Sequence, residues 1–163
     1  MSGIREDVAE FFYREAALLD NRRLDEWLEL LDDNLVYRMP LRVTLDKASG
    51  EDIVESMTFL DETKGSIRTR VNRLNTTSAW AEDPPSRTRH MITNVLIEEE
   101  REKEVVAVSY FLLLRSRRDK TAEQLFGTRR DVLVKRGNGW RIKERTVYPD
   151  ESVLHLPNLT TFI

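Results

Sequence analysis

The chain of 163 residues has no cysteine and only two histidines, His90 and His155. Without cysteine it can form no disulfide, no thiolate nucleophile, no cysteine-ligated zinc site and no iron–sulfur cluster held by cysteine. An iron site of two histidines and one carboxylate is poorly supported, because the two histidines are far apart in sequence and neither stands in a ligand motif. These shortages nearly exclude redox catalysis within this chain.

The sequence also lacks an excess of either charge and any long apolar run. Lysine and arginine number 26 against 29 aspartate and glutamate, for a net charge of −3 and a pI near 5.6. Such a balance gives no general attraction to nucleic acid or to anionic membranes. No run approaches the roughly 20 apolar residues of a spanning helix, and residues 1–7 are too charged for a secretory signal. We therefore expect a cytoplasmic protein with no nucleic-acid or membrane partner.

What is present indicates one globular domain over residues 1–163. Hydrophobic residues make up 40% of the chain, and glycine and proline are scattered rather than grouped in a linker. Apolar residues that recur every three or four positions predict a helix over residues 5–19 and a second over residues 24–31. Alternating apolar residues then predict a strand over residues 35–45, at a sheet edge or bulged at Pro40.

The rest of the chain changes from helical to strand patterns. Residues 51–74 contain helix formers interrupted by Gly65, which predicts two short helices or one helix after an irregular segment. A proline pair then marks a loop over residues 79–86. Strands are predicted over residues 89–99, 104–117, 121–135 and 140–148, with a hairpin turn at Asn138-Gly139. Because tight turns join antiparallel neighbours, we expect an α+β domain whose long curved antiparallel sheet wraps around N-terminal helices.

Three residues are candidates for acid–base chemistry. His90, near Glu82 and Asp83, could act as a general base oriented by a carboxylate. A histidine hydrogen-bonded into a loop or an interface is the favoured alternative, because no nucleophile or metal ligand accompanies it. Tyr13 and Tyr37 could donate to a ligand, but tyrosines at helix and strand spacing are more often core residues, so a ligand role requires a cavity.

Residues 79–95, with the sequence AWAEDPPSRTRHMITNV, resemble the signature segment of the small (beta) subunits of aromatic-ring-hydroxylating dioxygenases. The proline pair, the charged residues and His90 stand in an order that a generic meander does not need. The similarity extends in order and spacing over nearly the whole chain. It includes the N-terminal helix into Asp20, residues 27–37, 127–131 and 139–145, and Asn158, Leu159 and Phe162.

The resemblance implies a cone-like fold of the nuclear transport factor 2 and ketosteroid isomerase type. It also implies assembly with a large alpha subunit, three of each chain, in which the beta chains associate as a trimer. The alpha subunit carries the Rieske iron–sulfur cluster and the mononuclear iron that hydroxylate an aromatic ring. This chain is then expected to be a structural subunit without cofactor, metal or catalytic residue. The alternative is a stand-alone cone-fold isomerase, dehydratase or small-molecule binder that uses His90, Tyr13 and Tyr37.

Two segments are predicted to contact other surfaces. The loop rigidified by its proline pair contributes five candidates for a subunit interface: Trp80, Asp83, Arg87, Arg89 and His90. Tryptophan and arginine are frequent interface anchors, although burial in the chain's own core is an equal alternative for Trp80. Residues 154–163 carry apolar side chains without periodicity, which predicts that they dock on another surface.

Overall fold

The computed structural model describes residues 3–42, 53–76, 86–117, 121–151 and 161–163. Helices and strands follow one another along these residues as α1 (Ile4–Asp20), α2 (Leu24–Leu28), β1 (Leu31–Arg42), β2 (Ile53–Glu62), α3 (Lys64–Leu74), β3 (Arg87–Glu100), β4 (Glu104–Ser116), β5 (Glu123–Arg136) and β6 (Gly139–Pro149). None of the helices in these ranges has the length and apolar character needed to cross a membrane.

Helix α1 forms where the sequence predicts it, because its apolar residues fall on one face. Val8, Phe12, Ala16 and Leu19 recur at spacings of three and four and are all buried. The helix starts after Gly3, whose N–H donates to the Glu6 carboxylate at 2.7 Å. Its buried face packs against β3, which places the helix inside the curve of the sheet.

The six strands form one sheet in the order β2-β1-β6-β5-β4-β3. Strands β3 to β6 pair antiparallel with their sequence neighbours, as the predicted meander requires. Strand β1 pairs parallel with β6, so the sheet is mixed rather than antiparallel throughout. The turn between β5 and β6 consists of Gly137 and Asn138, one residue earlier than predicted, because Gly137 supplies the positive φ of 58°.

Residues 53–62 do not form the predicted helix or irregular segment. They form β2, an edge strand whose partners in β1 include Tyr37 opposite Glu62 and Met39 opposite Leu60. Pairing with β1 supplies backbone hydrogen bonds that a helix would otherwise supply internally, and Ile53, Val54 and Phe59 are residue types that favour strands. Within the described residues 53–74, the helix is α3, which follows the N-cap Thr63, whose hydroxyl accepts from the Ser66 N–H at 3.2 Å.

Strand β1 is bulged at Pro40, in agreement with the sequence. The register with β2 shifts on both sides of this residue, where proline has no N–H to donate. The strand begins at Leu31 rather than at residue 35, and α2 is correspondingly short. Pairing with β6 starts early because the Leu30 carbonyl accepts from the Ile142 N–H at 2.8 Å.

The core lies between the concave face of the sheet and the three helices. Alternate residues along β4 and β5 are buried and face the helices. Most of the largest fully buried side chains are apolar, such as Phe12, Trp27 and Leu113. Two of them, Arg129 and Arg145, are charged, and they mark the unusual part of the interior.

Candidate functional site

The cone is filled in part by the last residues of the sequence, Phe162 and Ile163, which we call the plug. Their exposed fractions are 3% and 1%. The Phe162 ring stacks on Trp27 of α2 with centroids 4.5 Å apart, and the Arg70 guanidinium of α3 lies over the same ring at 4.6 Å. Residues 154–163 are predicted to dock on another surface. For the described residues of this segment, 161–163, that surface is the inside of the chain's own cone.

Tyr37 binds the main chain of the plug. Its hydroxyl donates to the Ile163 carbonyl oxygen and accepts from the Ile163 N–H, both at 2.9 Å. Arg145 Nη1 donates to the same carbonyl oxygen at 2.9 Å. Burial raises the pKa of the Tyr37 phenol above its ordinary value. Tyr37 is thus a core tyrosine with a satisfied hydroxyl, the interpretation that its strand spacing favours.

His90 joins the plug to the end of α1. Its Nδ1 lies 2.5 Å from Asp20 Oδ1, and its Nε2 lies 2.7 Å from the Phe162 carbonyl oxygen. Both ring nitrogens therefore face an oxygen acceptor, and the side chain is 2% exposed. The histidine holds two parts of the chain together and has no nitrogen left for a substrate.

Among the described residues, the carboxylate that contacts His90 is Asp20, and the predicted neighbours Glu82 and Asp83 lie outside the described residues. Asp20 also accepts from the His90 backbone N–H at 3.0 Å and from the Thr88 hydroxyl at 3.0 Å. Burial alone raises the pKa of Asp20, but these hydrogen bonds and the charge of His90 hold it below its ordinary value. Sequence spacing could not reveal this partner, because 70 positions separate the two residues.

Behind the plug lies a charge cluster of two acidic and two basic side chains, each at most 1% exposed: Glu15, Arg129, Asp131 and Arg145. Arg145 binds Glu15 in a bidentate manner, at 2.6 and 2.9 Å, and binds Asp131 at 2.5 Å. Arg129 lies 3.7 Å from Glu15 and 3.6 Å from Asp131. The Trp27 N–H donates to Glu15 at 3.1 Å, which connects the cluster to the ring beneath the plug.

Within the cluster, Glu15 and Arg145 hold each other in their ionised forms. Burial raises the pKa of Glu15, but the charges of Arg145 and Arg129 and the hydrogen bonds from Arg145 and Trp27 lower it to about 2. Burial lowers the pKa of Arg145, and the nearby carboxylates of Asp131 and Glu15 outweigh it and raise that pKa. With a pKa of about 2, the Glu15 carboxylate is neither a proton donor nor an effective base at neutral pH, so it is suited to a structural role.

Sequence reasoning assigned no site role to Glu15, Arg129, Asp131 or Arg145, although the last three lie in segments that carry the family resemblance. The available signal was position. Glu15 interrupts the apolar face of α1 beside Phe12 and Ala16. Arg129, Asp131 and Arg145 occupy inward positions of strands whose other inward residues are apolar. Charged residues at positions that the periodicity assigns to the core predict a buried ionic cluster.

The remaining candidates are dispersed. Tyr13 is 51% exposed on α1, away from the interior positions of His90 and Tyr37. The cavity beside His90 and Phe162 is about 40 Å³, enough for a few water molecules, whereas ligand pockets measure about 300–1,000 Å³. Within the described ranges, no group of three or more histidine, aspartate or glutamate side chains is arranged to hold a metal ion.

The predicted interface residues are only partly described. Arg87 and Arg89 are exposed at the start of β3, an edge strand of the sheet. His90 points inward because strand residues alternate between faces. Trp80 and Asp83 lie outside the described residues, as does His155.

Comparison with known proteins agrees with the resemblance. The family model of the ring-hydroxylating beta subunit matches residues 14–156. Biphenyl 2,3-dioxygenase subunit beta of Rhodococcus jostii (strain RHA1) is 32% identical, over 98% of this chain and 88% of the relative. A chain of naphthalene 1,2-dioxygenase, solved with indole in the active site, has a TM-score of 0.86 at 23% identity, over 98% of this chain and 86% of that one.

The cone-like fold is shared more widely. A putative scytalone dehydratase from Novosphingobium aromaticivorans DSM 12444 has a TM-score of 0.65 at 15% identity, over 90% of this chain and 83% of that one. This likeness shows the fold alone, and it confirms the predicted α+β cone around N-terminal helices. With the family model spanning most of the sequence, the chain belongs to the beta subunits of aromatic-ring-hydroxylating dioxygenases.

Proposed function

We propose that this chain is a non-catalytic subunit that holds the alpha subunits of an aromatic-ring dioxygenase in one cytoplasmic assembly. Beta subunits of this family pair with alpha subunits. The proposed stoichiometry is three alpha and three beta chains, with the beta chains associated as a trimer. The alpha subunit would hold the Rieske cluster and the mononuclear iron, and it would carry out the dihydroxylation of an aromatic compound.

One observation carries the non-catalytic role: the groups best suited to acid–base chemistry are bound to the chain itself. Both nitrogens of His90 and the hydroxyl of Tyr37 contact Asp20 or the plug. The carboxylate of Glu15 is neutralised by arginine. A stand-alone isomerase or dehydratase would instead need these groups to face an open pocket.

The start of β3 is the proposed contact with a neighbouring subunit. Arg87 and Arg89 are exposed there, while Thr88 and the backbone N–H of His90 are tied to Asp20. The arginines therefore extend from a backbone that is fixed before binding, which reduces the entropy lost on association. Trp80 and Asp83, which precede β3 in the sequence, complete the proposed interface, and His90 serves it as a positioning residue.

Co-expression with the alpha subunit of the same dioxygenase tests the proposal. The isolated chain should contain no iron or sulfide and show no turnover, and the complex should have the mass of three alpha and three beta chains by light scattering. Turnover or bound iron in the isolated chain would overturn the non-catalytic role. Failure of the two chains to associate would overturn the role in assembly.

A further inference from the structure

The Phe162 ring contacts both an aromatic ring and a cation in the interior of the cone. One aromatic ring, Trp27, stacks on it at an interplanar angle of 29°. One cation, Arg70, lies over it with the guanidinium carbon 4.6 Å from the ring centroid. Aliphatic side chains of Leu19, Leu24 and Leu74 line the small cavity at its edge. Stacking and cation–π contacts both select for a planar aromatic ring over a saturated group of the same size.

The main chain beneath this ring is held by contacts that do not involve the ring. His90 binds the Phe162 carbonyl oxygen, while Tyr37 and Arg145 bind Ile163. Removal of the ring alone therefore leaves four polar contacts in place. These are one from His90, one from Arg145, and the two in which the Tyr37 hydroxyl donates to and accepts from Ile163. Trp27 lies on α2 and Arg70 lies on α3, so both residues stay in the chain when the Phe162 ring is removed.

We propose that the cone contains a latent binding site for a small planar aromatic molecule, occupied in the native chain by the side chain of Phe162. The site consists of the Trp27 face, the Arg70 guanidinium and the leucine side chains at the ring edge. The site lies in the interior of the cone and does not depend on subunit assembly. Because the Phe162 side chain occupies it, the native protein does not take up such a molecule.

The variant Phe162→Ala opens the site and provides the test. Benzene and cyclohexane serve as probes, because they have the same number of carbon atoms and differ in aromaticity. Binding is measured by titration in ligand-detected NMR, on the full-length chain. We expect F162A to bind benzene and the native chain to bind neither probe measurably.

The variant Phe111→Ala, which also removes a buried phenylalanine ring, provides the matched control. Phe111 of β4 is also 3% exposed, and among the described residues no aromatic ring or cation stacks on it. The ratio of the cyclohexane Kd to the benzene Kd should be about fivefold larger in F162A than in F111A. In the double variant F162A/R70M the ratio should fall toward the F111A value, because the cation has been removed.

Equal ratios in F162A and F111A would overturn the proposal, as would the failure of benzene to bind F162A. If F162A is largely unfolded, circular dichroism measures how far each probe raises the folded fraction, and this measurement also tests the proposal. A ligand that binds only the folded state raises the folded fraction, so benzene must refold F162A at a lower concentration than cyclohexane. Equal potency of the two probes, or no refolding by benzene, again contradicts the proposal.

Discussion

Glu15 shows how a single residue can stabilise the interior only as part of a set. Its carboxylate is 1% exposed and depends on Arg145, Arg129 and Trp27 for compensation. The substitution Glu15→Gln keeps the shape but leaves two buried guanidinium groups with one carboxylate. We expect it to lower the free energy of unfolding by about 3 kcal/mol or more, because breaking a buried ion pair leaves an uncompensated charge. Urea unfolding measures the change.

Glu10 provides the control on the same helix. It forms an ion pair with Arg14 at 2.7 Å, and both side chains are more than half exposed. Glu10→Gln should change the free energy of unfolding by less than about 0.5 kcal/mol, since exposed pairs contribute little. If Glu15→Gln and Glu10→Gln lower the free energy of unfolding by similar amounts, burial of the carboxylate does not determine the loss of stability.

The same carboxylate predicts how stability depends on pH. The pKa of Glu15 is about 2 in the folded chain, against an ordinary value of 4.5. The unfolded chain therefore takes up a proton at Glu15 at a higher pH than the folded chain does. The contribution of Glu15 to stability is fully present above about pH 4.5 and is lost as the pH falls toward about 2.

Urea unfolding at a series of pH values across this window should show the free energy of unfolding of the native chain falling more steeply than that of E15Q. Asp20, whose pKa is also lowered, contributes acid sensitivity to both proteins and cancels in the comparison. Parallel curves for the two proteins would rule out Glu15 as the source of the difference.

Residue by residue, the sequence identified candidates better than partners. It singled out His90 and Tyr37, and the favoured interpretation of Tyr37 as a satisfied core tyrosine is confirmed. It could not pair His90 with Asp20 or Tyr37 with Ile163, because these contacts join residues 70 and 126 positions apart. Periodicity reports which face a residue occupies, but it does not report which distant residue lies opposite.

At the level of secondary-structure elements, Gly127 determines how closely β5 and β6 can approach. A Cβ at this position would lie 2.9 Å from the Pro149 Cα and also against the Tyr148 carbonyl oxygen, both in the backbone of β6. Gly127→Ala must therefore push the strands apart, and we expect it to lower the free energy of unfolding by about 2 kcal/mol or more. Gly65→Ala is the matched control, because its Cβ would meet only the Thr63 side chain at 3.7 Å.

Gly65 lies in the first turn of α3, where alanine should stabilise the helix by up to about 1 kcal/mol. The two glycine substitutions are thus expected to have opposite signs in thermal or urea unfolding. A neutral Gly127→Ala would mean that β6 adjusts to the added methyl group without loss of pairing.

The plug is the second element whose position can be tested. Tyr37→Phe removes the hydroxyl that accepts from the buried Ile163 N–H and leaves that donor unpaired. The cost should be about 1–3 kcal/mol, and amide exchange at Ile163 should accelerate by about tenfold or more. Tyr110→Phe, on a side chain that is 51% exposed, should leave both measurements near their native values. Unchanged exchange at Ile163 in the Tyr37 variant would show that the hydroxyl does not hold the plug.

Element prediction succeeded where one face of the element is apolar, as in α1 and in the meander of β3 to β6. It failed at residues 53–62, which pair with β1 as an edge strand. The difference is energetic: α1 buries its own apolar face, whereas β2 exists because β1 offers unpaired backbone groups. No local pattern records the presence of such a neighbour.

For the whole molecule, the cone follows from a contact that closes the sheet around the helices. The parallel pairing of β1 with β6 joins the N-terminal half of the chain to the C-terminal meander. Composition and periodicity predicted helices inside a curved sheet, but the family resemblance was needed to specify the cone and its partner. Among the described residues, the ionisable side chains of the cluster and His90 contact other parts of the chain, whereas Arg87 and Arg89 are exposed.

Assembly is the prediction that belongs to this scale. The double variant Arg87→Ala/Arg89→Ala removes two exposed guanidinium groups from the start of β3 without touching the contacts of Asp20 with Thr88 and His90. The isolated chain should keep its native stability, because surface substitutions change it by less than about 0.5 kcal/mol. The Kd for the alpha subunit should rise by about tenfold or more, since arginine anchors at interfaces often contribute above 1 kcal/mol each.

The control must remove the same charge from another surface. Arg68 and Arg73 are exposed on α3, and Arg68→Ala/Arg73→Ala produces the same change of net charge. Light scattering of each variant mixed with the alpha subunit should show loss of the assembled species only for the β3 pair, at a concentration where the native complex is intact. A general electrostatic effect would weaken the complexes of both double variants equally, and added salt would reduce that weakening in both. If the two double variants assemble alike, the start of β3 is not the subunit contact.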